Sequence, residues 1–156
     1  MSKEPSRERI LVAAAKGNAA ALEFLRVFAR RAHWLDDVAD GDKLDFGARY
    51  SPHDIGDHES EWLLTVGGNP FFIAHRAQLV PAMILAINAW VDSDRFPDVQ
   101  RDVIKGQWHE VVWLVAFIVG GLEHLKAVTD IYRVYDIERK SGNVVKEREY
   151  NGLLGR

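Results

Sequence analysis

At 156 residues, with 47% hydrophobic content, the chain has the length of one domain and enough apolar side chains for a single buried core. The absence of cysteine excludes disulfides, zinc-thiolate sites and thiol nucleophiles. A net charge of −3 argues against a general electrostatic hold on nucleic acid, which needs a clustered basic excess.

The opening stretch Met-Ser-Lys-Glu-Pro-Ser-Arg-Glu-Arg is charged and leads into no signal-peptide apolar core, so a cytoplasmic location is the expectation. Ser6 caps a first helix through Arg9, Ile10, Leu11 and Ala14, and Gly17 stops it. Asn18 caps a second helix from about Ala19 to Ala39. At roughly 100° per residue, Leu22, Leu25 and Ala29 make an apolar stripe that His33, Asp36 and Asp40 continue. Phe24, Phe28 and Leu35 make a second apolar strip, while Glu23, Arg26 and Arg30 form the wet face. Arg26, Arg30 and Arg31 read as a solvated helix face.

From Leu44 to Asn69 the pattern loosens into a long loop, with a short helix from about His58 to Val66 that ends at Gly67-Gly68. Asn69-Pro70 is a helix start, Asn as cap and Pro at the first helical position. Pro81 then divides the segment, giving one helix to about Gln78 and another from about Val80 to Val91. A helix beginning near Pro97 runs to Lys105-Gly106, and the pattern is helical again from Gln107 to about Lys140. On that last helix His109, Trp113, Ala116, Gly120 and His124 share a stripe, and a continuous helix separates His109 from His124 by about 22 Å. Gly120-Gly121 costs about 1 kcal/mol per glycine relative to alanine, which points to a close approach by another helix or a ligand.

The longest apolar run, Val111 to Leu122, holds twelve residues against the roughly 20 needed to span a bilayer, and reads as a buried central helix. No membrane contact is expected. The expected fold is all-α: a single-domain bundle of five to seven helices around that apolar helix, over residues 1–140, with a charged tail or arm over 141–156.

Four carboxylates and a histidine fall between His33 and Asp42, at the C-terminal end of the second helix. The helix macrodipole is negative there, and each misplaced carboxylate costs about 0.3 to 1 kcal/mol. A divalent cation, a facing Arg or Lys, or exposure in the turn at Gly41 would each offset this. Asp40-Gly41-Asp42 is ordinary turn chemistry, whereas Asp36 and Asp37 lie within the helix. The candidate metal ligands are Asp36, Asp37 and Asp40, completed by Asp92 or Glu123 with Asn88 as a further oxygen donor. Hard oxygens one turn apart hold Mg²⁺ or Mn²⁺ while leaving positions for water and phosphate oxygens. His33 and Asp37 are the candidate catalytic groups, His33 as metal ligand or general base.

Asp36-Asp37-Val38-Ala39-Asp40 resembles, over five residues, the aspartate-rich motif of helical prenyl-diphosphate enzymes, though a second metal motif is missing. The all-helical nucleotide pyrophosphohydrolases are similar in kind, since they set acidic pairs on two antiparallel helices. His53-Asp54 matches the pair of HD-type phosphohydrolases, but Tyr50-Ser51-Pro52 precedes it in place of an apolar helix end. A wider resemblance covers about 90 residues: His33-Trp34-Leu35-Asp36-Asp37, Asp40-Gly41-Asp42-Lys43, Asn69-Pro70-Phe71-Phe72, Leu79-Val80-Pro81, Ala86-Ile87-Asn88-Ala89-Trp90 and Gly120-Gly121-Leu122-Glu123-His124. In that order they look like a group of small all-helical proteins of tailed bacteriophages and prophages, which implies action in the host cytoplasm or the virion and carries no activity with it.

Two functions are therefore expected. One is a divalent-metal-dependent enzyme of phosphohydrolase or pyrophosphohydrolase type, acting on a phosphate-bearing small molecule or nucleotide. The other is a non-catalytic phage structural or host-interaction protein in which Trp34, Trp62, Trp90, Trp108 and Trp113 anchor a core or a homo-oligomeric interface.

Overall fold

The computed structural model describes residues 4–41 and 50–141. Among them the chain is an all-α bundle without strands: α1 (Glu4–Ala15), α2 (Ala19–Asp40), α3 (Pro52–Gly68), α4 (Pro70–Ser93), α5 (Asp98–Lys105), a 3-10 turn (Gly106–Trp108) and α6 (His109–Ser141). Asp42, Lys43 and the tail from residue 142 lie outside the described residues, as does the side chain of Asp40.

Local chemistry sets most of the boundaries. α1 begins at Glu4, two residues before the expected cap Ser6, and stops where Lys16 and Gly17 take positive φ. Asn18 accepts a hydrogen bond from the Ala21 amide at 3.0 Å and so starts α2. Gly41, in the left-handed region, closes that helix by donating its N–H to Asp37 and Val38 carbonyls. The helix expected from about His58 starts instead at Pro52, inside the stretch read as loop, of which residues 44–49 lie outside the described residues. Ser51 sits extended as the N-cap, as the residue before a proline prefers, and Pro52 occupies the first helical position. Asp54 completes a capping box with Ser51.

α4 is also longer than expected, running through Pro81 without a break. Proline there removes the hydrogen bond to the Ala77 carbonyl, but both residues are exposed in the single chain, which lowers the cost of the lost donor.

α6 is not one rod. Gly121, at φ 73° and ψ −168°, interrupts it. Its two arms, 109–120 and 122–141, fold back on each other, so that Tyr132 packs against His109 at 4.4 Å and Trp113 at 5.0 Å between ring centroids. The stripe joining His109 to His124 and the 22 Å spacing assumed a straight helix and do not hold. Gly120 is required for a second reason, because a Cβ there would lie 2.5 Å from the His124 side chain.

One core joins α1, α2, α4 and α6: Ile10, Leu11 and Ala14 meet Phe24, Leu25 and Phe28, then Phe72, Leu79 and Met83, then Val111, Val112, Val115 and Ile131. The apolar helix 111–122 is buried along one face only, and Phe117 and Leu122 are exposed. α4 is long and apolar enough to cross a membrane by length and composition, as is the stretch 98–136. The fold at Gly121 leaves that second stretch an apolar arm of about 18 Å, against a hydrocarbon core of about 30 Å.

Candidate functional site

The C-terminal half of α2 runs past the end of α4 and the turn after α5, and there Asp36 finds its partners. Its Oδ1 accepts hydrogen bonds from Lys105 Nζ at 2.8 Å and Trp90 Nε1 at 3.0 Å. Burial pushes this carboxyl up, but the bonds from Lys105 and Trp90 and the lysine charge outweigh it and hold the acid below its ordinary value. A facing lysine is thus one element that offsets the carboxylate at the negative helix end.

Asp37 points elsewhere. It accepts from the Tyr50 hydroxyl at 3.2 Å, and His33 Nε2 stands 4.0 Å from it with a mostly exposed ring. Asp92 pairs with Arg95 on the surface, and Glu123 with Lys126. Asn88 is exposed. His124, beside Glu123, is bonded to the Ala14 carbonyl near the start of α2, so Glu123 lies roughly 25 Å from Asp36 along that helix. Asp36 and Asp37 thus turn to different partners and Glu123 lies far from both; among the described residues, which leave out the Asp40 side chain, no three His, Asp or Glu side chains are grouped to hold one ion. Asp54, the acid of the HD-type pair, is engaged by the Ser51 amide and hydroxyl at 2.6 and 2.7 Å, which holds it below the usual carboxylate range.

Beside Asp36 lies a cavity of about 150 Å³. Phe28, Trp62, Met83, Ala86, Trp90 and Trp108 wall it, and its rim carries Arg7, Arg31, His33, Asp36 and Lys105. The Arg31 guanidinium lies 4.9 Å from the Trp62 ring centre and is held by Glu59 at 2.8 Å. The Arg7 guanidinium lies 5.6 Å from the Trp108 ring centre. Such placements attract a cation to the ring face and keep its N–H groups turned toward a neighbouring anion.

A second, more polar chamber of about 250 Å³ adjoins the first, and Arg7, Asp36, Lys105 and Trp108 line both. Its far wall is the folded α6, with His109, Tyr132 and Tyr135 opposite Asp102. His109 Nδ1 sits 2.8 Å from the Gly106 carbonyl oxygen, which only accepts, so the ring carries its proton on Nδ1.

Three of the five tryptophans thus build one cavity. Of the others, Trp34 stacks on His58 at 4.7 Å, and Trp113 packs on Tyr132. The cations Arg7, Arg31 and Lys105 are the functional candidates that sequence reasoning missed. Lys105 stands 69 residues from its partner, and no local pattern links them. Arg26, Arg30 and Arg31, read as a wet face, pair with Glu8, Glu61 and Glu59 respectively. No protein-family model, curated protein or solved structure matches this chain, and the candidate site stands on its geometry.

Proposed function

We propose that this protein binds a small molecule joining a planar aromatic ring to a phosphate group. The ring lies among the cavity tryptophans and the phosphate at Arg7, Arg31 and Lys105. The observation that supports this most is Arg7, which lines both chambers, lies over Trp108, and makes no ion pair or hydrogen bond among the described residues. Arg31 and Lys105 already answer Glu59 and Asp36, which leaves Arg7 as the rim cation that no described carboxylate holds in an ion pair. Aromatic walls with a few convergent polar groups are the ordinary make-up of a small-molecule site.

Binding a phosphate through fixed cations differs from binding it through a divalent ion. The second route asks Asp36 to exchange Lys105 for the ion, with Asp37 and Asp40 as neighbours, and keeps His33 and Asp37 as catalytic groups. Quenching of tryptophan fluorescence distinguishes the two. The EDTA-treated protein is titrated with phenyl phosphate and adenosine monophosphate, with phenol and inorganic phosphate as controls.

Saturable quenching by the aromatic phosphates, at least about tenfold tighter than by either control, is expected, because a charge-assisted bond contributes about 1.5 to 3 kcal/mol. Arg7→Ala, at an exposed position, removes it. Failure of both aromatic phosphates to bind, with or without Mg²⁺ or Mn²⁺, rejects the reading. Binding that needs the ion and disappears in Asp37→Asn transfers it to the carboxylate run. A non-catalytic interaction protein is the second reading, favoured by the apolar side chains exposed along α4.

A further inference from the structure

α4 has two apolar faces, and the core uses one. Phe72, Leu79, Met83 and Ala86 are buried. On the other side Ile73, Ala77, Val80, Ile84, Ile87 and Val91 follow at intervals of four, three, four, three and four residues, and every one is exposed. Ile84 keeps 52% of its surface and Val91 55%. That alternation is the heptad spacing by which one helix holds another along a narrow seam, with β-branched residues at five of the six positions. A bilayer imposes no such period.

We propose that this seam packs on the same seam of a second copy of the chain, antiparallel, about a two-fold axis level with residue 82. In that register Ile73 lies opposite Val91 of the second copy, Ala77 opposite its Ile87, and Val80 opposite its Ile84. The same three pairs recur beyond the axis, so every seam residue meets an apolar one. This self-matching is what a two-fold homodimer demands of its surface.

Charge sets the direction. The first half of α4 carries Arg76, and its end carries Asp92 and Asp94, with Arg95 paired to Asp92, so that end keeps one net negative charge. A parallel pair would set these groups beside their own copies and align the two macrodipoles. The antiparallel pair brings the basic end of one helix beside the acidic end of the other and opposes the dipoles. One flank of the seam is formed by Ala74, Pro81 and Asn88, so closure there strips no charge of water. Ile87 also borders the tryptophan-walled cavity, so the seam runs along its edge, but the pairing of the two seams needs no ligand there.

The test is sedimentation equilibrium of the full chain from micromolar to millimolar concentration. The wild type is expected to reach twice the chain mass, and Ile84→Glu to remain at the chain mass throughout with an unchanged circular dichroism spectrum. The chain has no cysteine, so the register is read directly by oxidative cross-linking. A mixture of Val80→Cys and Ile84→Cys proteins should form the mixed disulfide in preference to either self-pair. A wild type that stays monomeric overturns the proposal, as does stronger Val80→Cys self-linking, which marks a parallel pair. Flotation of the wild type with phosphatidylcholine vesicles, lost in Ile84→Glu, also overturns it and assigns the seam to a lipid surface.

Discussion

The backbone of Gly121 offers the sharpest stability test. At φ 73° and ψ −168° it occupies a region open to glycine and closed to residues with a Cβ, so Gly121→Ala must either strain the backbone or open the fold between the two arms of α6. Strain of this kind costs about 1 to 3 kcal/mol per residue. Nothing lies within 4 Å of a Cβ built at Gly121, so the penalty comes from the backbone rather than from a clash.

For a chain of this size each kcal/mol moves the melting temperature by roughly 2 to 4 °C, so a cost of about 2 kcal/mol lowers it by roughly 4 to 8 °C. Gly56→Ala is the control. Gly56 lies inside α3 with ordinary φ and open space around it, and alanine there should raise stability by up to about 1 kcal/mol. Both variants are measured by circular dichroism melting, with near-ultraviolet signal reporting the Trp113–Tyr132 contact. If Gly121→Ala melts with the wild type, or shifts in the same direction as Gly56→Ala, the argument from the fold-back fails.

Two further outcomes are expected. Asn69→Ala removes both the cap on the Phe72 amide and the bond from Asn69 Nδ2 to the Ala20 carbonyl, each 2.9 Å, at a buried position. It should cost about 2 to 4 kcal/mol in urea unfolding, with Asn69→Asp, which keeps the cap alone, in between; a loss under about 1 kcal/mol contradicts this. Asp36 has a lowered pKa, so its stabilising contribution is complete above the unfolded carboxylate value of about 3.9 and is lost as pH falls through its lower folded value. Lys105→Met takes away the main stabiliser of the charged form, and loss on acidification should then begin at higher pH. Parallel urea-midpoint profiles for the two proteins between pH 6 and 2 refute the assignment.

What was legible in the sequence was local. Asn18 and Asn69 act on amides three residues away, so their capping roles could be read directly. The same reasoning failed where local rules meet tertiary context. Pro81 costs a helix most where the residues around it are buried, and here Ala77 and Pro81 are both exposed. Pro52 holds Ser51 extended, which rules out a helix running into His53-Asp54 from before and at the same time supplies the N-cap from which α3 starts, a signal the loop reading of this stretch overlooks.

Repulsion in the acidic run named three remedies without choosing among them. The residues that answer Asp36 lie 54 and 69 positions away. Asp92 and Glu123 show the converse. Each has a cation three residues on: Glu123 and Lys126 pair at the helical period, and Asp92 meets Arg95 in the turn that follows α4.

The packing of α1 on α6 carries a consequence for the timing of assembly. Ala14 and His124 meet across 110 positions of sequence, and Ile10, Leu11 and Ala14 share one core with Val128 and Ile131. At about 5 to 20 residues per second, the ribosome needs roughly 5 to 20 s to make that intervening chain. Throughout that interval the apolar side of α1 can meet α2 and α4 but not the α6 residues that complete its cover. The bundle therefore closes only after most of it has been synthesised, because the last side of the α1 core comes from the final helix.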